Sequence, residues 1–130
     1  MENKIIIAKA DRKTSNTKKQ YNMFVGRWQP LHDGHKWLFE QSLKEHKNVL
    51  ICIRDVETDE NNPFTSLEIK KNIENHYKDL IKEERIKVII IPDIDAICYG
   101  RGVGYDIIEY VPPKQIHDIS ATKIRNQLKK

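Results

Sequence analysis

Met23-Phe24-Val25-Gly26-Arg27-Trp28-Gln29-Pro30-Leu31-His32-Asp33-Gly34-His35 is the stretch from which the rest of the chain is best read. Met23 to Val25 is a short apolar run that stops at Gly26, the pattern of a buried parallel strand. Good helix formers follow from His35 to Glu45, with Phe39 and Leu43 one turn apart on a face that can pack on a sheet. Strand, loop and helix in this order put the loop at the strand end where open α/β sheets bind ligands.

The pattern repeats down the chain. Val49 to Ile53 (VLICI) is a second continuous apolar strand, and the polar run Asp55 to Asn62 ends at Pro63. Thr65 caps the next helix while Glu68 reaches back to the Thr65 amide, and Ile69, Ile73, Tyr77 and Leu80 supply its apolar stripe. Val88 to Ile91 is a third strand. Strands alternating with helices predict a parallel sheet with helices packed on its faces. Beyond Asp93 only a few residues precede the apolar Ala96 to Tyr99, too few for a helical crossover, so the order of the sheet is open there. Ile107 to Val111 reads as another strand, Ser120 to Lys129 as a terminal helix, and Lys4 to Ala8 as a short strand near the N-terminus.

At 130 residues the chain suits one core rather than two. The first twenty residues hold six bases and two acids, which leaves seventeen of each in the remainder. Residues 1–20 therefore read as a solvated basic flank ahead of a domain over residues 21–130, and nucleic acid is not expected as a partner. No apolar run approaches the roughly 18 residues of a membrane span, and the N-terminus lacks a signal-peptide pattern, so no membrane partner and a cytoplasmic location are expected. Cys52 and Cys98 lie far apart in apolar segments and are expected to be reduced, buried thiols.

The chemistry concentrates in the first loop. Gly26 lets the backbone turn close to a ligand, and Gly34 removes a side chain where a phosphate would meet the amides of the helix N-terminus. His32 and His35 can then face one pocket, each donating to a phosphate oxygen and, when protonated, offsetting the charge that grows as pyrophosphate leaves. Two histidines could also bind a metal, but no third nitrogen or sulfur ligand is suggested nearby, so phosphate contact is preferred and no metal ligand is assigned. His46, His76 and His117 sit in no comparable loop and read as surface or packing residues, and Trp28 and Trp37 read as packing residues. Ser120, Thr122 and Arg125, at the start of the terminal helix, form a second anion site. Gly100-Arg101-Gly102-Val103-Gly104-Tyr105 reads either as a turn or as an acceptor loop, in which Arg101 suits a forked contact with an anionic acceptor.

At these segments the chain resembles the cytidylyltransferase-like nucleotidyltransferases. Members carry His-x-Gly-His after the first strand and an Ile-Ser-Ser-Thr-x-x-Arg type of motif near the end. Here these read His32-Asp33-Gly34-His35 and Ile119-Ser120-Ala121-Thr122-Lys123-Ile124-Arg125. Gly26 to Pro30 and Asn62-Pro63-Phe64-Thr65-Ser66-Leu67-Glu68 are similar to motifs of archaeal-type nicotinamide mononucleotide adenylyltransferases, whereas the overall size is like that of glycerol-phosphate cytidylyltransferases. The matches run in order from about Met23 to Arg125.

The resemblance implies a Rossmann-like α/β fold, a parallel sheet with helices on both faces. It implies in-line attack by an acceptor phosphate on the α-phosphorus of a nucleoside triphosphate, with magnesium pyrophosphate leaving. His32, His35 and Arg27 would act at the phosphates, the backbone of Phe24, Val25 and Gly26 would line the nucleoside with Gly34 close by, and Ser120, Thr122 and Arg125 would hold the β- and γ-phosphates. The expected activity is transfer of CMP, favoured on size, or of AMP to a small phosphate- or phosphonate-bearing acceptor. The alternatives are nicotinamide mononucleotide adenylyl transfer and a non-catalytic nucleotide-binding module, and the resemblance is compatible with a homodimer. Three departures stand out. Ile69 occupies the place where the family often has Arg, the segment Ile94 to Tyr110 is short and contains no Trp, and the first motif begins Gly-Arg-Trp-Gln where glycerol-phosphate enzymes usually have Gly-Thr-Phe-Asp.

Overall fold

The computed structural model describes residues 3–10, 18–100 and 104–114. In chain order its elements are β1 (Lys4–Ala8), β2 (Tyr21–Gly26), α1 (Asp33–Lys44), β3 (Asn48–Asp55), α2 (Ser66–His76), α3 (Lys78–Lys82), β4 (Ile86–Pro92) and β5 (Ile107–Tyr110). β2, β3 and β4 make a three-stranded parallel sheet with β3 in the middle. Their register sets Phe24, Ile51 and Val88 side by side, and likewise Gly26, Ile53 and Ile90.

Side chains alternate across a strand, so these residues, with Val49 and Ile86, share one face of the sheet. That face forms a core with Phe39 of α1 and with Ile69 and Ile73 of α2. Phe39, Val49, Ile51, Ile53 and Ile73 are completely buried, and at about 1.5–3 kcal/mol for each side chain removed from water this row supplies much of the drive to fold. α1 and α2 therefore lie on the same face. That is what two right-handed crossovers produce when each steps in the same direction, from β2 to β3 and from β3 to β4.

Two expectations are corrected here. The described residues do not build a single continuous Rossmann-like parallel sheet: β1 and β5 form a separate antiparallel pair, with Lys4 opposite Tyr110 and Ile6 opposite Ile108. Nor do the connecting helices α1 and α2 cover both faces of the parallel sheet. The physical reason for the first lies in the connection. A further parallel strand needs a crossover of a dozen or more residues, usually helical, and no helix occurs among the described residues between β4 and β5. β5 pairs instead with the N-terminal strand.

A two-stranded pair is marginal by itself, and this one leans on the main body through Tyr110. The Tyr110 hydroxyl meets Ser42 Oγ at 2.9 Å, and Ser42 Oγ also accepts from Asn22 Nδ2 at 2.9 Å. The Tyr110 ring stacks on Phe24, and Lys4 reaches Glu45 at 3.1 Å.

The capping box expected at Thr65 and Glu68 is present, but the apolar stripe drawn as one helix is broken at Tyr77 (φ −113°, ψ 30°) into α2 and α3. Tyr77 and Leu80 nevertheless pack on the core. Cys52 is buried as expected, whereas Cys98 is exposed, because the segment after β4 packs little of its apolar content. Among the described residues no helix is long and apolar enough to cross a membrane.

Candidate active site

The loop after β2 and the loop after β3 emerge at the same end of the parallel sheet, after Gly26 and Asp55. Two short tethers join the loops at this end. Gln29 is buried, and its amide pairs with the backbone of Phe64 in both directions: Nε2 donates to the Phe64 carbonyl at 2.8 Å, and Oε1 accepts from the Phe64 amide at 3.0 Å. Beside it Arg27 Nη1 donates to Asn62 Oδ1 at 3.1 Å, and Asn62 Nδ2 donates to Asp59 at 3.0 Å. Asn62 is also buried. The hydrogen bond from the Asn62 side chain, backed by the Asn61 and Asn62 amides and the Arg27 charge, holds the Asp59 carboxyl below its ordinary pKa.

His32 is the N-cap of α1, and His35 is the third residue of the helix. Together they form a capping box made of two imidazoles. His32 Nδ1 accepts from the Gly34 amide at 3.0 Å and from the His35 amide at 3.4 Å, while His35 Nδ1 accepts from the His32 amide at 3.2 Å. The rings stack 3.6 Å apart, 19° from parallel. An Nδ1 that accepts a hydrogen bond carries no proton, so each neutral ring bears its proton on Nε2. The cap thus puts the proton of each ring on Nε2, outside the bonds that close the helix start.

Burial lowers the pKa of both rings. His35 is held down at about 3, chiefly by burial and secondarily by His32. His32 is lowered by burial and by Lys36, with Asp33 pulling the other way. At neutral pH the pair therefore consists of uncharged donors rather than the protonated cations that could have offset charge directly.

Trp28 stands behind the pair. Its backbone is left-handed (φ 55°), a conformation of about 1–3 kcal/mol strain for a bulky residue, and its indole is buried with Nε1 donating to the Cys52 carbonyl at 3.0 Å. The indole is perpendicular to the His35 ring at 4.8 Å and also meets Phe39 at 5.2 Å. Gly26 makes room for it, since a Cβ there would lie 2.9 Å from the indole. Gly26 is thus required by a side chain of its own loop.

The structure brings together Gly26, His32, Gly34 and His35 through Trp28 and the cap, and ties Arg27 to Asn62 instead. Arg27 is exposed, although one guanidinium nitrogen is held by Asn62. Gly34 uses its amide on His32, so in this state a phosphate would meet imidazole Nε2–H groups before that amide. Phe24 and Val25 point to opposite faces of the sheet, and the Phe24 ring is committed to Phe39 and Tyr110, which leaves backbone as the contribution of β2 to a ligand. Ile69 packs in the core, so the helix position where the resemblance expects Arg is a packing position. Arg101, Ser120, Thr122 and Arg125 lie outside the described residues.

Gln29, Asn62 and Asp59 were not singled out from the sequence as site residues. Their available signal was two amide side chains within motif-like turns, Trp-Gln-Pro and Asn-Asn-Pro. A polar cavity of about 420 Å³ opens beside the start of α2, between Asp55, Glu57, Thr58, Thr65 and Ser66, and the histidines do not line it. Among the described residues no group of three or more His, Cys, Asp or Glu is placed to hold a metal ion. No protein-family model matches the chain, and no curated protein matches its sequence.

Proposed function

We propose that this protein is a nucleotidyltransferase that moves a nucleoside monophosphate, CMP or AMP, from its triphosphate to a small phosphate- or phosphonate-bearing acceptor. The observation that carries the reading is the double-imidazole cap, which stacks two Nε2–H rings side by side at the N-terminal turn of α1. Such a pair is suited to the non-bridging oxygens of a phosphate chain. In the reaction an acceptor oxygen forms a bond to the α-phosphorus as the bond to the bridging β-phosphate oxygen breaks, and pyrophosphate leaves with the magnesium that entered on the triphosphate. His32 and His35 donate to oxygens that gain charge, and Arg27 adds the loop's positive charge. The remaining work is positioning, which the Gln29–Phe64 and Arg27–Asn62 tethers serve.

Nicotinamide mononucleotide adenylyl transfer is the second reading. One observation favours it: the Gly-Arg-Trp-Gln-Pro and Asn-Pro-Phe-Thr segments, which carry that resemblance, are bonded directly to each other through Gln29 and Phe64.

The test is pyrophosphate release in magnesium, with CTP and ATP offered separately against phosphorylated and phosphonate acceptors, nicotinamide mononucleotide among them. Release that requires one nucleotide and one acceptor is expected. His35→Ala should lower turnover by about a hundredfold or more. Tight nucleotide binding without pyrophosphate across the whole panel would point instead to a non-catalytic module, and near-native turnover by His35→Ala would remove the role assigned to that residue.

A further inference from the structure

Trp28 joins three features that the proposed reaction does not use. It fills the space that Gly26 leaves open, it is anchored by its indole N–H on the Cys52 carbonyl of the central strand, and its ring stands perpendicular against His35. We propose that Trp28 is a positioning residue for the histidine pair, holding His35 in the rotamer that closes the reciprocal cap and so keeping the His35 ring in the Nε2–H form.

The argument follows the contacts outward from the sheet. β3 is the central strand, so the Cys52 carbonyl is a fixed point, and the 3.0 Å bond to it fixes the depth of the indole. The Phe39 ring, at 5.2 Å, limits its tilt. His35 lies between the indole at 4.8 Å and the His32 ring at 3.6 Å, so two aromatic neighbours define its plane. In that plane Nδ1 reaches the His32 amide, and His32 in turn caps Gly34. Rotation of the His35 ring would release the His32 amide, and with it the condition that puts the proton on Nε2.

The left-handed backbone at Trp28 fits this account. A buried tryptophan held in a strained conformation is over-determined by its surroundings, and such strain gathers where a side chain must be aimed. Phenylalanine keeps an aromatic face toward His35 but loses the bond to the Cys52 carbonyl, whereas leucine loses both. Trp28→Phe and Trp28→Leu separate positioning from packing.

Nitrogen NMR of the imidazoles in the full chain at pH 7 distinguishes an Nε2–H ring from an Nδ1–H ring. The native protein should show single Nε2–H signatures for His32 and His35, and Trp28→Phe, which keeps the aromatic face but not the bond to Cys52, less averaging at His35 than Trp28→Leu. Trp28→Leu should show averaged tautomers at His35, with His46 and His76 unchanged as internal references. If Trp28→Leu does not fold, Gly26→Ala, whose new Cβ drives the indole from its seat, should give the same averaging. Native-like tautomers in Trp28→Leu, or in Gly26→Ala where it replaces that variant, would overturn the proposal, as would averaging in Trp28→Phe as large as in Trp28→Leu.

The consequence for turnover rests on the nucleotidyl-transfer reading. With a transferred nucleotide as readout, Trp28→Leu should lower kcat by about tenfold or more and leave KM for the triphosphate within about twofold. The NMR result is independent of that assay. Tautomer averaging alongside a native protein that transfers no nucleotide would keep the role of Trp28 and refute the activity instead.

Discussion

Replacement of Gln29 by alanine tests whether the two loops at the sheet end form one unit. Gln29 is 4% exposed and makes both of its bonds to a single residue, so the substitution unpairs the amide and the carbonyl of Phe64 together. A net contribution of about 0.5–1.5 kcal/mol for each bond gives a loss of about 1–3 kcal/mol. Unfolding entropy of roughly 2.1 cal/mol/K per residue is about 0.27 kcal/mol/K for a chain of 130 residues, so Tm should fall by about 4–11 °C. Gln29→Glu is the sharper variant. It keeps an acceptor for the Phe64 amide but sets an oxygen against the Phe64 carbonyl and buries a charge, so it should cost at least as much as alanine. Thermal and urea unfolding of the three proteins provide the measurement, with equal m-values showing that the unfolded states are comparable. A Tm for Gln29→Ala within about 1 °C of the native value, or a Gln29→Glu protein of native stability, would refute the claim that this amide ties the loops.

Two further outcomes follow from the same region. Because His35 titrates near 3 when folded against 6.5 when unfolded, the unfolded chain binds the extra proton between those values, and the stability held by the neutral ring is complete above about 6.5 and lost as pH falls towards 3. Going from pH 7.0 to 5.5 should remove about 1 kcal/mol on this account, and His35→Asn should flatten that part of the profile; equal slopes in urea unfolding would contradict the assignment. Gly26→Ala should cost about 1–3 kcal/mol through its 2.9 Å clash with the indole, and most of that cost should vanish in a Trp28→Leu background; an undiminished penalty in the double-mutant cycle would show that the clash lies elsewhere.

The parallel sheet and its two principal helices were legible because buried strands such as Val49 to Ile53 are unbroken apolar runs, and because Thr65 and Glu68 spell out a helix start. The separate β1–β5 pair was not legible. Strings as short as KIIIA and IIEY carry no information about their partner, and the bond that seats the pair, Tyr110 to Ser42, spans 68 residues. The break at Tyr77 was hidden for a different reason: Tyr77 and Leu80 still face the core after the helix turns, so the apolar period runs through the interruption. Cys98 misled because apolar sequence neighbours do not guarantee burial in a segment without regular structure. In the site, the motif located His32 and His35, but their mutual cap could not be read, since histidine is not among the residues favoured at an N-cap. Gln29 reached Phe64 across 35 residues, a distance that no local pattern reports.

The cap also bears on the two chemistries open to a pair of histidines. An imidazole that ligates a metal through Nε2 must give up the proton on that atom and, as a neutral ring, carry it on Nδ1 instead. Here both Nδ1 atoms accept backbone N–H groups, so a metal on the Nε2 atoms would turn those acceptors into donors facing donors and would open the first turn of α1. An anion asks the reverse. It accepts from Nε2–H and strengthens the same tautomer, leaving the cap closed and the helix start intact. On the proposed reading the stacked pair donates to an anion, and its neutrality before binding means that positive charge for a polyphosphate must come from other groups, of which Arg27 is the one this loop presents.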